Sequence, residues 1–96
     1  MSKEPEKVCV IESDMPAEMQ SEATEKALEA LLEQRGDYEK VCKAVKEYFD
    51  DIHPPTGWQC VLGTRYGSKV THQQFTFINI KLLRHYEMIL YRADLH

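Results

Sequence analysis

The sequence predicts an α+β fold in which two helices pack on an antiparallel sheet. Two stretches of the first half repeat apolar residues at helical spacing, around residues 19–31 and 38–52. After Gly57 the pattern changes to alternation with a period of two. A run of helices followed by a run of strands folds as segregated layers, not as alternating βαβ units. The chain has 96 residues, enough for one domain with a thin core, and association is a common way to supply missing burial.

Residues 1–7 are charged, contain Pro5 and read as a flexible tail. Residues 8–96 form the domain. Val8-Cys9-Val10-Ile11 is β-branched and apolar, hence a first strand. Ser13-Asp14-Met15-Pro16 supplies capping candidates and a proline suited to the first helical turn. Met19, Ala23, Ala27, Ala30 and Leu31 then draw one apolar stripe, and Gly36 takes the left-handed turn that ends it. Asp37 caps a second helix, whose Tyr38, Val41, Cys42, Val45, Tyr48, Phe49 and Ile52 face one way. His53-Pro54-Pro55-Thr56-Gly57 stops that helix. Trp58, Cys60 and Leu62 alternate with Gln59 and Val61; residues 63–67 read as a turn, and residues 68–72 as a short polar strand. Residues 75–80 and 87–91 complete the strands.

Composition narrows the function. A formal net charge of −4 and a sequence pI near 5.5 argue against nucleic acid and against an anionic membrane as partner. No apolar run approaches the roughly 20 residues that span a bilayer, and the first residues lack an apolar signal region. Three cysteines without close spacing suit a reducing cytosol, where Cys9, Cys42 and Cys60 are expected to be small buried apolar residues. A Cys60–His72 nucleophile pair is weighed and set aside, because Cys60 shares a face with Trp58 and Leu62. His53, His72, His85 and His96 lack metal-ligand spacing, and Asp50-Asp51 reads as a solvated helix end. No catalytic residue, no metal and no cofactor is expected. The polar strand at 68–72 has little to bury and needs a partner, since an open edge invites association.

The stretch Trp58-Gln59-Cys60-Val61-Leu62-Gly63, followed by Tyr66-Gly67-Ser68-Lys69-Val70-Thr71-His72, resembles the hallmark of the eight-kilodalton dynein light chains. That family reads W-H-C-I-V-G, a short spacer, then F-G-S-Y-V-T-H. Val10-Ile11, Asp14-Met15, Glu18-Met19-Gln20, Val41, Val45, Phe49-Asp50 and Phe77-Ile78 match at the same relative positions, so the resemblance spans about residues 8 to 91. It implies a dimer in which the strand carrying G-S-x-V-T-H crosses to the partner's sheet. A client peptide then adds as a further strand, in a groove bounded by the second helix. The implied groove residues are Tyr66, Gly67, Ser68, Lys69, Val70, Thr71, His72, Phe77, Asn79, Lys81, Glu39 and Lys40. The implied dimer interface holds Trp58, Gln59, Tyr66, Ser68 and Val70.

The resemblance further implies a non-catalytic light chain of a dynein motor complex in the cytoplasm, on microtubules, in either a cytoplasmic or a ciliary axonemal motor. Its partners are a dynein intermediate chain or other extended segments, and a second light chain, identical or related. A general dimerisation hub or regulatory protein outside dynein is the alternative on the same scaffold. Several groove positions depart from the family: Gln59 for its histidine, Lys69, Asn79 and Lys81 for tyrosines, and Glu39 for a lysine. Gly57 is an insertion before Trp58, and residues 82–96 are longer and more charged.

Overall fold

In the computed structural model, which describes residues 8–63, 75–83 and 85–93, the two periodicities become two layers. The elements follow as β1 (Val8–Ser13), α1 (Ala17–Glu33), α2 (Tyr38–Ile52), β2 (Trp58–Gly63), β3 (Ile78–Leu82) and β4 (Tyr86–Arg92). All described strand pairs are antiparallel, and the sheet runs in the order β1-β3-β4-β2. The α+β expectation is therefore met, with both helices on one face of the sheet. The expected turn at 63–67 and the polar strand at 68–72 lie outside the described residues, apart from Gly63, which closes β2.

Helix α1 buries Ala23, Ala27, Ala30 and Leu31, the stripe read from the sequence, while Met19 packs at its margin. Three alanines let the helix axis come close to its neighbours, and they cost no side-chain entropy. Helix α2 buries Val41, Val45 and Phe49. From the sheet come Trp58, Leu62, Ile78, Ile80, Leu82, Met88 and Leu90, so one core lies between the layers. Phe49 and Trp58 meet edge to face with ring centroids 4.9 Å apart, a geometry favoured by the ring quadrupoles.

Two of the expected caps resolve differently. Asp37 does cap α2, its Oδ1 accepting the Lys40 backbone N–H at 3.1 Å. Helix α1 begins instead after Pro16, without a side-chain cap. Ser13 and Asp14 are spent on the chain before β3: the Ser13 hydroxyl donates to the Phe77 carbonyl at 2.8 Å, and the Asp14 carboxylate accepts the N–H groups of Phe75 and Phe77 at 3.0 and 2.9 Å. A short polar side chain bonds whichever donors face it, and here tertiary neighbours win over the helix terminus. Those bonds also hold residues 75–77 away from the sheet ladder, so β3 starts at Ile78 and not at Phe75.

Candidate functional site

Strand β2 owes its position to Asp50, in the last turn of α2. The helix stops at Ile52, and the chain doubles back so that Asp50 Oδ1 accepts the N–H groups of Gly57 and Trp58, each at 3.1 Å. Its other oxygen accepts from Lys46 Nζ at 2.6 Å, one helical turn earlier. Burial works against the Asp50 charge, but the Lys46 hydrogen bond, the Trp58 N–H, the Lys46 charge and the Gly57 N–H outweigh it, and the carboxyl titrates below its ordinary value. The expected solvated helix end is thus an anchor: the Asp50 side chain is 16% exposed. Only Asp51 points to solvent.

Around that anchor the connection is closed by aromatic and cationic groups. The Trp58 indole N–H donates to the His53 carbonyl at 3.1 Å, and Arg92 donates to the same carbonyl and to that of Pro55, at 3.0 and 3.2 Å, with its guanidinium 5.2 Å from the indole centroid. His53 Nε2 lies 2.6 Å from Glu22 Oε1, joining the end of α2 to α1. The result is a regular strand, β2, beside α2. It pairs with β4 on one side only and among the described residues has no second neighbour.

The expected interface residues on β2 face opposite ways. The Trp58 side chain is wholly enclosed in the core of its own chain, whereas Gln59 is exposed on the face turned away from the helices. Glu39 and Lys40 are exposed in the first turn of α2. Phe77 is half-buried, with its backbone tied to Ser13 and Asp14. Asn79 and Lys81 alternate with the core residues Ile78, Ile80 and Leu82, which places them on the outer sheet face. One chain therefore separates Glu39 and Lys40 from Asn79 and Lys81 by the thickness of its sheet. Tyr66, Gly67, Ser68, Lys69, Val70, Thr71 and His72 lie outside the described residues.

That outer face is apolar at its centre. Ile89 sits between Asn79 of β3 and Val61 of β2 and is 3% exposed, yet it belongs to none of the helix-side packing. Val61 is 39% exposed, and Asn79 Oδ1 is buried with no hydrogen-bond partner among the described residues. The sequence signal for this face was the odd register of residues 87–91, where Ile89 falls opposite to Met88 and Leu90.

The cysteines are less buried than composition suggested. Cys9 is exposed on the edge strand β1, and Cys42 of α2 and Cys60 of β2 are only partly covered, at the margin of the core. Among the described residues no three His, Cys, Asp or Glu side chains cluster closely enough to hold a metal ion, and no helix is long and apolar enough to cross a membrane. A cavity of about 300 Å³ is lined by Leu31, Arg35, Leu83, His85 and Tyr86, none of them a residue of the expected groove.

The family model described as dynein light chain type 1 matches residues 7–93. A dynein light chain of Schistosoma mansoni is 37% identical over 73 residues, 75% of this chain and 79% of that protein. A cytoplasmic dynein light chain of Emericella nidulans is 37% identical over 82 residues, 84% of this chain and 83% of that one. Among solved structures, the dynein light chain-like domain of a Fasciola hepatica calcium binding protein superposes with a TM-score of 0.77 at 23% identity, covering 99% of this chain and 100% of the domain.

Proposed function

The chain belongs to the dynein light chain type 1 family, and from that membership we propose that it is a non-catalytic subunit of a cytoplasmic, microtubule-associated dynein motor. In this reading two copies, or one copy and a related light chain, form a clamp that takes up extended segments of an intermediate chain or scaffold by strand addition. The observation that carries it is the regular edge of β2 beside α2, since main-chain groups along such an edge supply affinity without specialised chemistry. A second copy is the occupant we assign to the outer sheet face. Ile89 and Val61 supply its apolar centre, and the unpartnered Asn79 Oδ1 gains access to a donor there. Residues that one chain separates, Glu39 and Lys40 on the helix layer and Asn79 and Lys81 on the outer face, then line one groove from two chains.

The same membership fits a general dimerisation hub acting outside dynein, but the altered groove favours a dedicated subunit. Asn79 and Lys81, with Lys69, put polar and cationic groups where the family carries aromatic area. Aromatic anchors contribute disproportionately to peptide affinity, so typical family clients should bind weakly, and strands with acidic flanks should bind better. The experiment titrates a typical family client peptide and an acidic intermediate-chain segment against the protein at low and high salt. The acidic segment should bind at least tenfold tighter at low salt, an advantage of about 1.4 kcal/mol, and lose much of it on salt addition. Equal, salt-independent binding of both peptides would overturn the dedicated reading.

A further inference from the structure

The cavity of about 300 Å³ lies where the end of α1 meets the turn between β3 and β4, away from β2 and the outer sheet face. Its volume stands at the lower end of the range for small-molecule pockets, roughly 300–1,000 Å³. The residues that line it are of two kinds. Leu31 is 1% exposed, and Leu83 and Tyr86 are half-buried against the core, so the inner wall is apolar and fixed. The Tyr86 ring is held by Tyr38 of α2, edge to face with centroids 5.6 Å apart. Arg35 and His85 are exposed and form the solvent side of the cavity.

The turn that supplies Leu83 is strained. The His85 N–H donates to the Leu82 carbonyl at 3.2 Å, and Leu83 sits at φ +51°, a left-handed conformation disfavoured for any residue with a Cβ. Such strain persists where the surroundings fix it, and here the Leu83 side chain packs on the core while lining the cavity. Arg35 carries the one permanent charge among the five lining residues, in a chain of net charge −4, and no carboxylate is among them. Among the described residues neither Arg35 nor His85 is engaged in an ion pair. A guanidinium offers a planar fork that takes both oxygens of a carboxylate, and a histidine ring offers an N–H in either tautomer.

We propose that this cavity binds a small carboxylate borne on a flat apolar body. Arg35 takes the carboxylate in its fork, His85 donates a further hydrogen bond, and the body rests against Leu31, Leu83 and the Tyr86 ring. Both halves of the ligand are needed. A bare carboxylate gains only an exposed cation, whose attraction water and salt screen. A neutral body of the same shape gains the apolar wall but leaves the fork without an anion. A single permanent positive charge also matches a monoanion better than a doubly charged phosphate. The site shares no residue with the edge of β2, so it stands whether or not the chain is a motor subunit.

The test follows the amide NMR spectrum of the full chain at neutral pH while benzoate is added, with benzamide and acetate as separate probes. Benzoate should shift the signals of Arg35, Leu83, His85 and Tyr86 saturably at millimolar concentration. Benzamide, which keeps the ring and loses the charge, and acetate, which keeps the charge and loses the ring, should each bind at least about tenfold more weakly. Arg35→Gln, at an exposed position, should preserve the spectrum and weaken benzoate by about tenfold, the order expected for losing a partly solvated hydrogen bond to a charged group. Benzoate shifts that fail to saturate or that centre on β2 and the outer sheet face, benzamide or acetate binding as tightly as benzoate, or an unchanged affinity in Arg35→Gln would each overturn the proposal. The three probes on the wild-type chain decide even if the variant fails to fold.

Discussion

Asp50 joins donors from α2, the following connection and β2 with one carboxylate, taking the N–H groups of Gly57 and Trp58 on one oxygen and Lys46 on the other. Its folded-state pKa lies below the ordinary value, so its contribution is fully present above the unfolded carboxyl pKa, near 4, and is lost as pH falls through the lower folded value. Asp50→Asn keeps the shape but loses the charge on those bonds. It should cost about 1–3 kcal/mol at neutral pH, within the range for hydrogen bonds to charged groups. Urea unfolding of both proteins at pH 7 and at pH 3 checks the sign: the gap between them should narrow at the acid end. Local spacing offers Asp50 only Lys46, one turn earlier; its other two donors, Gly57 and Trp58, lie beyond the Pro54-Pro55 corner, and only the folded path brings them back.

At the scale of elements, what could be read in advance was periodic and local. Helix α2 and the burial of α1 follow from apolar spacing alone, and the alternation of Trp58, Cys60 and Leu62 gave the face of β2 correctly. What local reading missed was decided by partners distant in sequence. Ser13 and Asp14 look like helix caps until the residues before β3 compete for them, and Ile89 looks like one more core residue until register turns it outward. Gly36 separates the helices at φ +86°, in a region where a side chain is strained, and a Cβ there would meet no atom within 4 Å. Gly36→Ala therefore isolates backbone strain from crowding. It should lower stability by about 1 kcal/mol without changing the fold, measurable as a shifted denaturant midpoint at constant slope.

For the molecule as a whole, the helix side of the sheet is covered within one chain, whereas the outer face buries Ile89 but leaves Val61 exposed. Val61 is 39% exposed, so Val61→Lys should leave the chain folded, with little change in circular dichroism. On the reading that a second copy covers this face, the same substitution places a charge against Ile89 of the apposed sheet and should shift sedimentation from two chains to one at micromolar concentration. An unchanged dimer would place the contact elsewhere. The motif that first suggested association, residues 66–72, lies outside the described residues, so for that part of the site the sequence carries the reading. The reverse holds for the outer face: its burial depends on strand order, and β3 separates β1 from β4 although the two ends of the chain carry them.

The irregularity in β1, where Ile11 is skipped between the pairs Val10–Ile80 and Glu12–Asn79, makes the two margins of the sheet unequal. A bulged strand is twisted and a poor template for a newcomer, while β2 runs straight from Trp58 to Gly63. Among the described residues the sheet thus has one regular edge, that of β2, and one irregular edge, that of β1. On the reading that a partner segment adds to β2, growth by strand addition saturates after a single newcomer, because a bulged margin is a poor template for the next.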